Sequence, residues 1–163
     1  MRIFDSISDF EQVAGQELGV TEWRTITQED INDFARVTND HQWIHVDEQR
    51  AAKGPFGTTL VHGYMTLSLV SGFMFSTYRV DGVAMGVNYG SNKVRYPAPV
   101  LVNSRVRGRV KLLSLERSEL WAQSTVQVTV EQERDGKLLK PGCVAEVVSR
   151  LYYPKVASEE TTA

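Results

Sequence analysis

The sequence predicts an α+β fold in which an antiparallel β-sheet wraps around one central helix. Helical patterns occupy the first half of the chain and alternating β patterns occupy the second, an order typical of this fold class. Between them, residues 54–78 contain no Asp, Glu, Lys or Arg, and a helix over residues 63–78 is apolar on nearly every side. Such a helix must be covered by other elements, and the strands that follow can supply the cover.

The elements before this helix are short. Residues 5–18 favour a short helix, and residues 20–26 alternate in polarity as a strand does. Thr27 and Asp30 then form a capping box at the start of a clear helix. Asn39 begins a turn-forming pair, so the sequence predicts that this helix ends there.

One more short helix and five strands complete the predicted elements. Asp47 can cap a helix that runs to residue 52. Strands are predicted at residues 83–89, 92–96, 104–113, 124–133 and 144–153. A break at Gly90 separates the first two strands, and Asp135-Gly136 is a hairpin signal before the last one.

The length of the chain predicts one domain. Its 163 residues can bury a core without disulfides or metals, and 42% of them are hydrophobic. We place the core at about residues 19–153, followed by a polar, frayed tail over residues 154–163.

Charge and cysteine content limit the partners and the compartment. The formal net charge of −2 offers no reason to expect nucleic acid or an anionic membrane as a partner. The chain has no apolar run of about 18 residues, so we expect no membrane span. Asp5 and Asp9 interrupt any signal peptide, and the single cysteine, Cys143, suits a reducing compartment. We therefore expect a cytoplasmic protein. A basic face on residues 104–113 can meet phosphates or simply be solvated.

The stretch over residues 39–63 carries the groups best suited to chemistry. It holds all three histidines, and Asp40 lies five residues before His45. An extended chain would separate that pair by about 17 Å, so they meet only if the segment loops back, which its short polar residues permit. A carboxylate and an imidazole on one loop can position a water molecule and move its proton. Alternatively, Asp40 caps a turn and His45 only packs.

A metal site is a competing interpretation of the same stretch. His41 and His45 have the i, i+4 spacing of two ligands on a helix, with Asp40 or Asp47 as a third. Asn39 marks a helix end, however, and no second cluster of ligands is visible in the sequence. We therefore predict no metal.

Gly63 lies at the start of the apolar helix. Helix N-termini present free N–H groups, and such a donor can hold an oxygen that gains negative charge in a transition state. Alternatively, Gly63 only lets the helix pack closely. His62 before it is either a structural hydrogen-bonding residue or a catalytic one.

These motifs resemble those of the MaoC-like hydratases and dehydratases, the (R)-specific enoyl-CoA hydratase group with a hot-dog fold. In that family an aromatic residue precedes Gly-Asp-x-Asn-Pro-x-His. Here Phe34 precedes Asn-Asp-His-Gln-Trp-Ile-His at residues 39–45. Asn39 replaces the Gly of the family pattern, Gln42 the Asn and Trp43 the Pro. A His-Gly pair that opens a helix and a Pro-x-Pro region within residues 88–100 also match. The resemblance covers almost the whole chain. The sequence is particularly similar to the single hot-dog members from actinobacteria and mycobacteria.

The resemblance implies reversible syn hydration of trans-2-enoyl-CoA to (R)-3-hydroxyacyl-CoA, or of the acyl-carrier-protein thioester. It implies Asp40 and His45 as the catalytic pair, with the Gly63 N–H holding the thioester oxygen. Lys93 and Arg95 are candidates for contact with CoA. We expect no cofactor, and family members commonly form homodimers whose sheets join edge to edge.

Two other functions remain open at this point. A hot-dog thioesterase would release thiol from acyl-CoA, but it uses a differently placed carboxylate that the sequence does not mark. A non-catalytic acyl-CoA-binding subunit would bind without turnover. The intact Asp40 and His45 pair argues against that function.

Overall fold

A computed structural model describes residues 1–154, so the predicted tail lies outside the described residues apart from Pro154. The five helices within this range are α1 (Ile7–Glu11), α2 (Gln28–Thr38), α3 (Trp43–Val46), α4 (Glu48–Ala51) and α5 (Gly63–Thr77). The nine strands are β1 (Arg2–Phe4), β2 (Glu17–Val20), β3 (Arg24–Thr25), β4 (Tyr78–Val80), β5 (Met85–Arg95), β6 (Arg105–Arg117), β7 (Trp121–Arg134), β8 (Lys137–Leu138) and β9 (Cys143–Tyr152). Among these residues, no helix combines the length and apolar character needed to cross a membrane.

The main sheet has the order β2-β6-β7-β9-β5, and its neighbours pair antiparallel. β3 extends the sheet beside β6, and β8 lies beside β7. β1 and β4 form a separate parallel pair. Residues of β6, β7 and β9 alternate between buried and more exposed, and the buried set packs with α5 in one hydrophobic core. The predicted α+β fold with an antiparallel sheet around one long helix is confirmed.

Local signals placed several helix ends and one turn correctly. Thr27 and Asp30 form the capping box, with both reciprocal hydrogen bonds present. Asn39 ends α2 in the left-handed conformation, at φ 58°. Asp135 and the glycine after it both have positive φ, as a tight hairpin between β7 and β8 requires.

Three strand predictions, in two regions of the chain, were wrong in their bounds. The strands predicted at residues 83–89 and 92–96 are one strand, β5 (Met85–Arg95), because register shifts around Gly90 absorb the irregularity without ending the pairing with β9. The segment at residues 20–26 is divided between β2 and β3. Thr21 bonds to Gly108 through both its backbone N–H and its side-chain oxygen, which interrupts the regular ladder between the two short strands.

The expectation that α5 is covered on every side holds for one face only. Met65, Val70 and Phe73 are buried, whereas Tyr64 is 71% and Phe75 is 75% exposed. A curved sheet encloses a helix from one side, so the opposite face of α5 is open in the single chain.

Gly108 of β6 lets α5 approach the sheet closely. A Cβ atom at Gly108 would lie 2.5 Å from the Cβ atom of Phe73. We therefore expect Gly108→Ala to lower the free energy of unfolding by about 1–3 kcal/mol, because a backbone has to move to relieve the overlap. Urea denaturation measures the change. Gly72→Ala, on α5 with no neighbour within 4 Å of the added atom, is the matched control, and equal behaviour of both variants would contradict the prediction.

Candidate active site

The loop between α2 and α3 brings Asp40 and His45 to the same place. The left-handed residue Asn39 turns the chain at the end of α2, and the N–H of Gln42 donates to the Asp40 carboxylate at 3.4 Å. The single turn of α3 then carries His45 into the protein, where it is 8% exposed. Asp40 remains exposed. The segment therefore loops back, and the side chains of Asp40 and His45 lie close together.

One hydrogen bond sets the tautomer of His45. Its Nδ1 lies 2.7 Å from the carbonyl oxygen of Leu60, and only a protonated nitrogen can donate to a carbonyl. The neutral ring therefore presents Nε2 as a proton acceptor.

The backbone around His45 is held by residues that the sequence did not single out. Gln28 donates from Nε2 to the His45 carbonyl at 2.8 Å, and its Oε1 accepts from the buried Thr59 hydroxyl at 2.5 Å. The N–H of Leu60 donates to the carbonyl of Ile44 at 2.9 Å. These contacts join residues 16 to 31 positions apart in the sequence, so no local pattern could have indicated them.

His62 joins the pair from the N-cap of α5. Its Nε2 donates to the Asp40 carbonyl oxygen at 3.0 Å, and its ring stacks on His45 with centroids 3.8 Å apart. Asp40, His45 and His62 each have one possible metal-ligand atom, and these three atoms lie within 4.8 Å of one another.

The orientation of the two rings disfavours a metal ion in this cluster. The ring planes of His45 and His62 differ by only 25°. Imidazole lone pairs lie in the ring plane, so nearly parallel stacked rings do not direct them at a common point close by. The competing interpretation of His41 and His45 as two ligands on one helix does not match the geometry either. His41 is exposed and precedes α3, so it shares no helical face with His45.

A cavity of about 260 Å³ begins beside His45. His45, Gly63, Thr66 and Tyr96 line it, together with apolar residues of the segments around them. Gly63 is the first residue of α5, and its N–H has no acceptor among residues 1–154. The residue with the free N–H and the residue with the imidazole therefore line the same cavity.

A second, larger cavity of about 350 Å³ lies farther along α5, between that helix and strands β5 and β9. Its lining is mainly apolar and includes Leu67, Val70, Met74, Val87, Val147 and Leu151. Ser68 and Ser71 also border it. Such a lining suits an alkyl chain better than a polar group.

Some basic residues are paired with carboxylates, and others are exposed and free to contact a phosphate group. Arg109 of β6 is paired with both Glu17 and Glu131, so much of the predicted basic face is neutralised. Lys93 and Arg95 are exposed on β5, and Arg95 donates to the carbonyl of the preceding residue. Neither residue lines the cavity beside His45, although the adjacent Tyr96 does.

Burial lowers the pKa of His45 below its ordinary value of 6.5, and the nearby His62 adds to this effect. The Leu60 carbonyl and Asp40 act in the opposite direction but do not cancel it. As the pH falls through 6.5, His45 takes up a proton in the unfolded chain before it does so in the folded protein. The contribution of His45 to the free energy of unfolding therefore falls until the pH passes the lowered folded-state pKa.

We expect this loss of stability to be smaller in His45→Phe, which cannot take up the proton. Urea denaturation of both proteins from about pH 7.5 down to about pH 5.5 measures the difference. Identical pH dependence in the two proteins would contradict the assignment to His45.

A comparison with protein families identifies the chain. Residues 9–135, well over half of the sequence, match the MaoC like domain. The protein belongs to the MaoC-like dehydratase family. It is accordingly an enzyme of the hydro-lyase class.

The chain is similar to named MaoC-like enzymes over most of its length. It is 51% identical to 3-hydroxyacyl-thioester dehydratase Z of Mycobacterium tuberculosis, over 92% of this chain and 98% of that protein. It is 34% identical to 3-hydroxybutyryl-CoA dehydratase of Methylorubrum extorquens, over 76% of this chain and 78% of that protein.

Solved structures agree on the fold. The monoamine oxidase regulatory protein of Archaeoglobus fulgidus superposes with a TM-score of 0.74 at 23% identity, covering 94% of this chain and 97% of that one. The (R)-hydratase of A. caviae superposes with a TM-score of 0.64 at 21% identity, covering 85% and 96%. These likenesses establish the hot-dog fold that the motifs predicted.

Proposed function

We propose that this MaoC-like protein reversibly adds water to a trans-2-enoyl thioester and forms the (R)-3-hydroxyacyl thioester. The observation that carries the proposal is a single cavity lined by both His45 and Gly63, with Asp40 close to the His45 ring. The names of the mycobacterial and Methylorubrum relatives, which refer to 3-hydroxyacyl and 3-hydroxybutyryl thioesters, support the same substrate class.

In the proposed reaction, Asp40 and His45 hold one water molecule between them. The exposed carboxylate of Asp40 accepts a proton as the water oxygen attacks Cβ of the substrate. His45 shares that water through Nε2, and the pair returns one proton to Cα. The second hydrogen stays on the new hydroxyl group, so the enzyme ends unchanged. Delivery of both groups from one side accounts for syn addition.

Attack at Cβ moves negative charge onto the thioester oxygen. The Gly63 N–H is suited to hold that oxygen, because it is a free donor at the positive end of the 15-residue helix α5. The donor stabilises the enolate-like state more than the neutral thioester. It therefore lowers the barrier rather than only binding the substrate.

The acyl and carrier ends have separate candidate positions. We place the acyl chain toward the apolar cavity between α5, β5 and β9. Lys93 and Arg95 remain proposed contacts for the phosphates of CoA or of an acyl carrier protein.

We also propose that two copies pair through β5. This strand lies at the edge of the sheet and is exposed along almost its whole length, with Met85, Val87 and Tyr89 at its surface. An open, partly apolar edge readily pairs with another strand. Light scattering of the purified protein should give twice the chain mass, and a monomer would refute the pairing.

We propose a cytoplasmic location as well, because the buried Cys143 is unpaired, which suits a reducing compartment.

Loss of the ultraviolet absorbance of the conjugated double bond tests the function directly. Wild-type protein should bleach enoyl-CoA substrates, and chiral separation should identify the (R)-alcohol. Release of free thiol from saturated acyl-CoA would instead indicate the thioesterase. Binding without either reaction would indicate a non-catalytic subunit.

A further inference from the structure

We infer that His62 is a positioning residue for the proposed hydration. In this role its N–H holds the backbone at Asp40 while its ring holds the imidazole of His45. The inference rests on the proposed function for its catalytic consequence, but its structural part can be tested without any substrate.

The contacts of His62 are unusually specific for a buried side chain. The residue is 2% exposed. One nitrogen, Nε2, donates to the Asp40 carbonyl at 3.0 Å across 22 residues of sequence. One ring face lies against His45 at 3.8 Å between centroids, and Phe34 lies 5.0 Å away in a tilted arrangement. A histidine that only filled space would not need to place both a donor and a ring face on the two proposed catalytic residues.

Asp40 has few other restraints. Its side chain is exposed and accepts one hydrogen bond from described residues, the 3.4 Å contact from Gln42. Asn39 before it has a left-handed backbone, a conformation that a non-glycine residue adopts at some cost. The bond from His62 to the Asp40 carbonyl is therefore the main contact that ties this part of the loop to the protein interior.

The position of His62 in the chain links the two halves of the site. It is the N-cap of α5 and directly precedes Gly63, whose N–H is the proposed oxyanion donor. His62 thus connects Gly63 to Asp40 through its hydrogen bond and to His45 through ring stacking. Its second nitrogen, Nδ1, is buried without a hydrogen-bond partner among the described residues. A buried polar atom left unpaired has a cost, so the retention of an imidazole rather than an apolar ring at this position calls for an explanation.

Two substitutions separate the donor from the ring. His62→Phe keeps an aromatic ring that can stack on His45 but removes the N–H that holds Asp40. His62→Gln keeps an amide donor but removes the ring. His41→Phe is the matched control, because it removes an exposed imidazole next to Asp40 without deleting any of these contacts.

Hydrogen exchange measured by mass spectrometry tests the structural part. In His62→Phe, the peptide covering residues 40–46 should exchange faster than in wild type, whereas peptides from β6, β7 and β9 should be unchanged. Unchanged exchange in residues 40–46 would overturn the inference whether or not the protein is a hydratase. Faster exchange throughout the chain would indicate a general folding role and would also overturn it.

Kinetics test the catalytic part. We expect His62→Phe to lower kcat on the order of 10- to 100-fold with little change in KM, because a displaced catalytic group affects the chemical step more than binding. His62→Gln should recover part of the loss, and His41→Phe should match wild type. A wild-type kcat in His62→Phe would refute the catalytic role. An inactive wild-type protein would instead refute the proposed function and leave the exchange result as the test of His62.

Discussion

Asp40→Asn should lower the rate of enoyl-thioester hydration by about 100- to 10,000-fold, the usual effect of losing an acid/base group. Asparagine has nearly the same shape and can still accept the hydrogen bond from Gln42, but its amide cannot take a proton from water. His45→Phe should have an effect of similar size, since it retains a ring against His62 and loses Nε2. Absorbance of the conjugated double bond measures both rates.

Stability controls separate chemistry from folding in these variants. His45→Phe leaves the Leu60 carbonyl without its donor, at a cost of about 1–3 kcal/mol, so its unfolding must be measured alongside its rate. Asp47→Asn is the matched carboxylate control. It changes an exposed residue that caps α4, and the asparagine can still cap. Turnover at the wild-type rate in Asp40→Asn or His45→Phe would remove that residue from the mechanism.

Gly63→Pro should reduce kcat by about 100- to 1,000-fold, because proline lacks the N–H assigned to the thioester oxygen. The backbone tolerates this change. Gly63 is the first residue of α5, where proline is favoured, and His62 before it has φ −57° and ψ 136°, as a residue preceding proline requires. Steady-state kinetics with an enoyl-CoA substrate measure the loss.

Gly63→Ala is the control for this prediction. An added Cβ atom would lie 3.5 Å from the ring of Tyr96, an ordinary contact distance, and the N–H would remain. We therefore expect the alanine variant to retain most of its activity. Equal losses in the alanine and proline variants would point to crowding against Tyr96 rather than to a missing donor.

The parts of the site that could be predicted depend on local chemistry. The capping box at Thr27 is decided by hydrogen bonds to a residue three positions away. The turn at Asn39 is decided by a residue type that tolerates the left-handed backbone conformation. The turn between Asp40 and His45 follows from the same kind of local signal, because short polar residues end α2. The start of α5 at Gly63 follows from the apolar run behind it.

The remaining features depend on contacts that no short window of sequence contains. Gln28 reaches His45 across 17 residues, and His62 reaches Asp40 across 22. The continuity of β5 through Gly90 depends on its pairing with β9, which overrides a local break signal.

The amino-acid sequence by itself determined that the main helices precede the long strands, that one apolar helix is central, and that Asp40 and His45 lie on one short segment, since each follows from residue type and short-range spacing. Only the tertiary structure decided that His62, and not His41, lies against that pair, and that one face of α5 stays open. Packing sets those outcomes, because it brings together groups whose separation along the chain carries no signal.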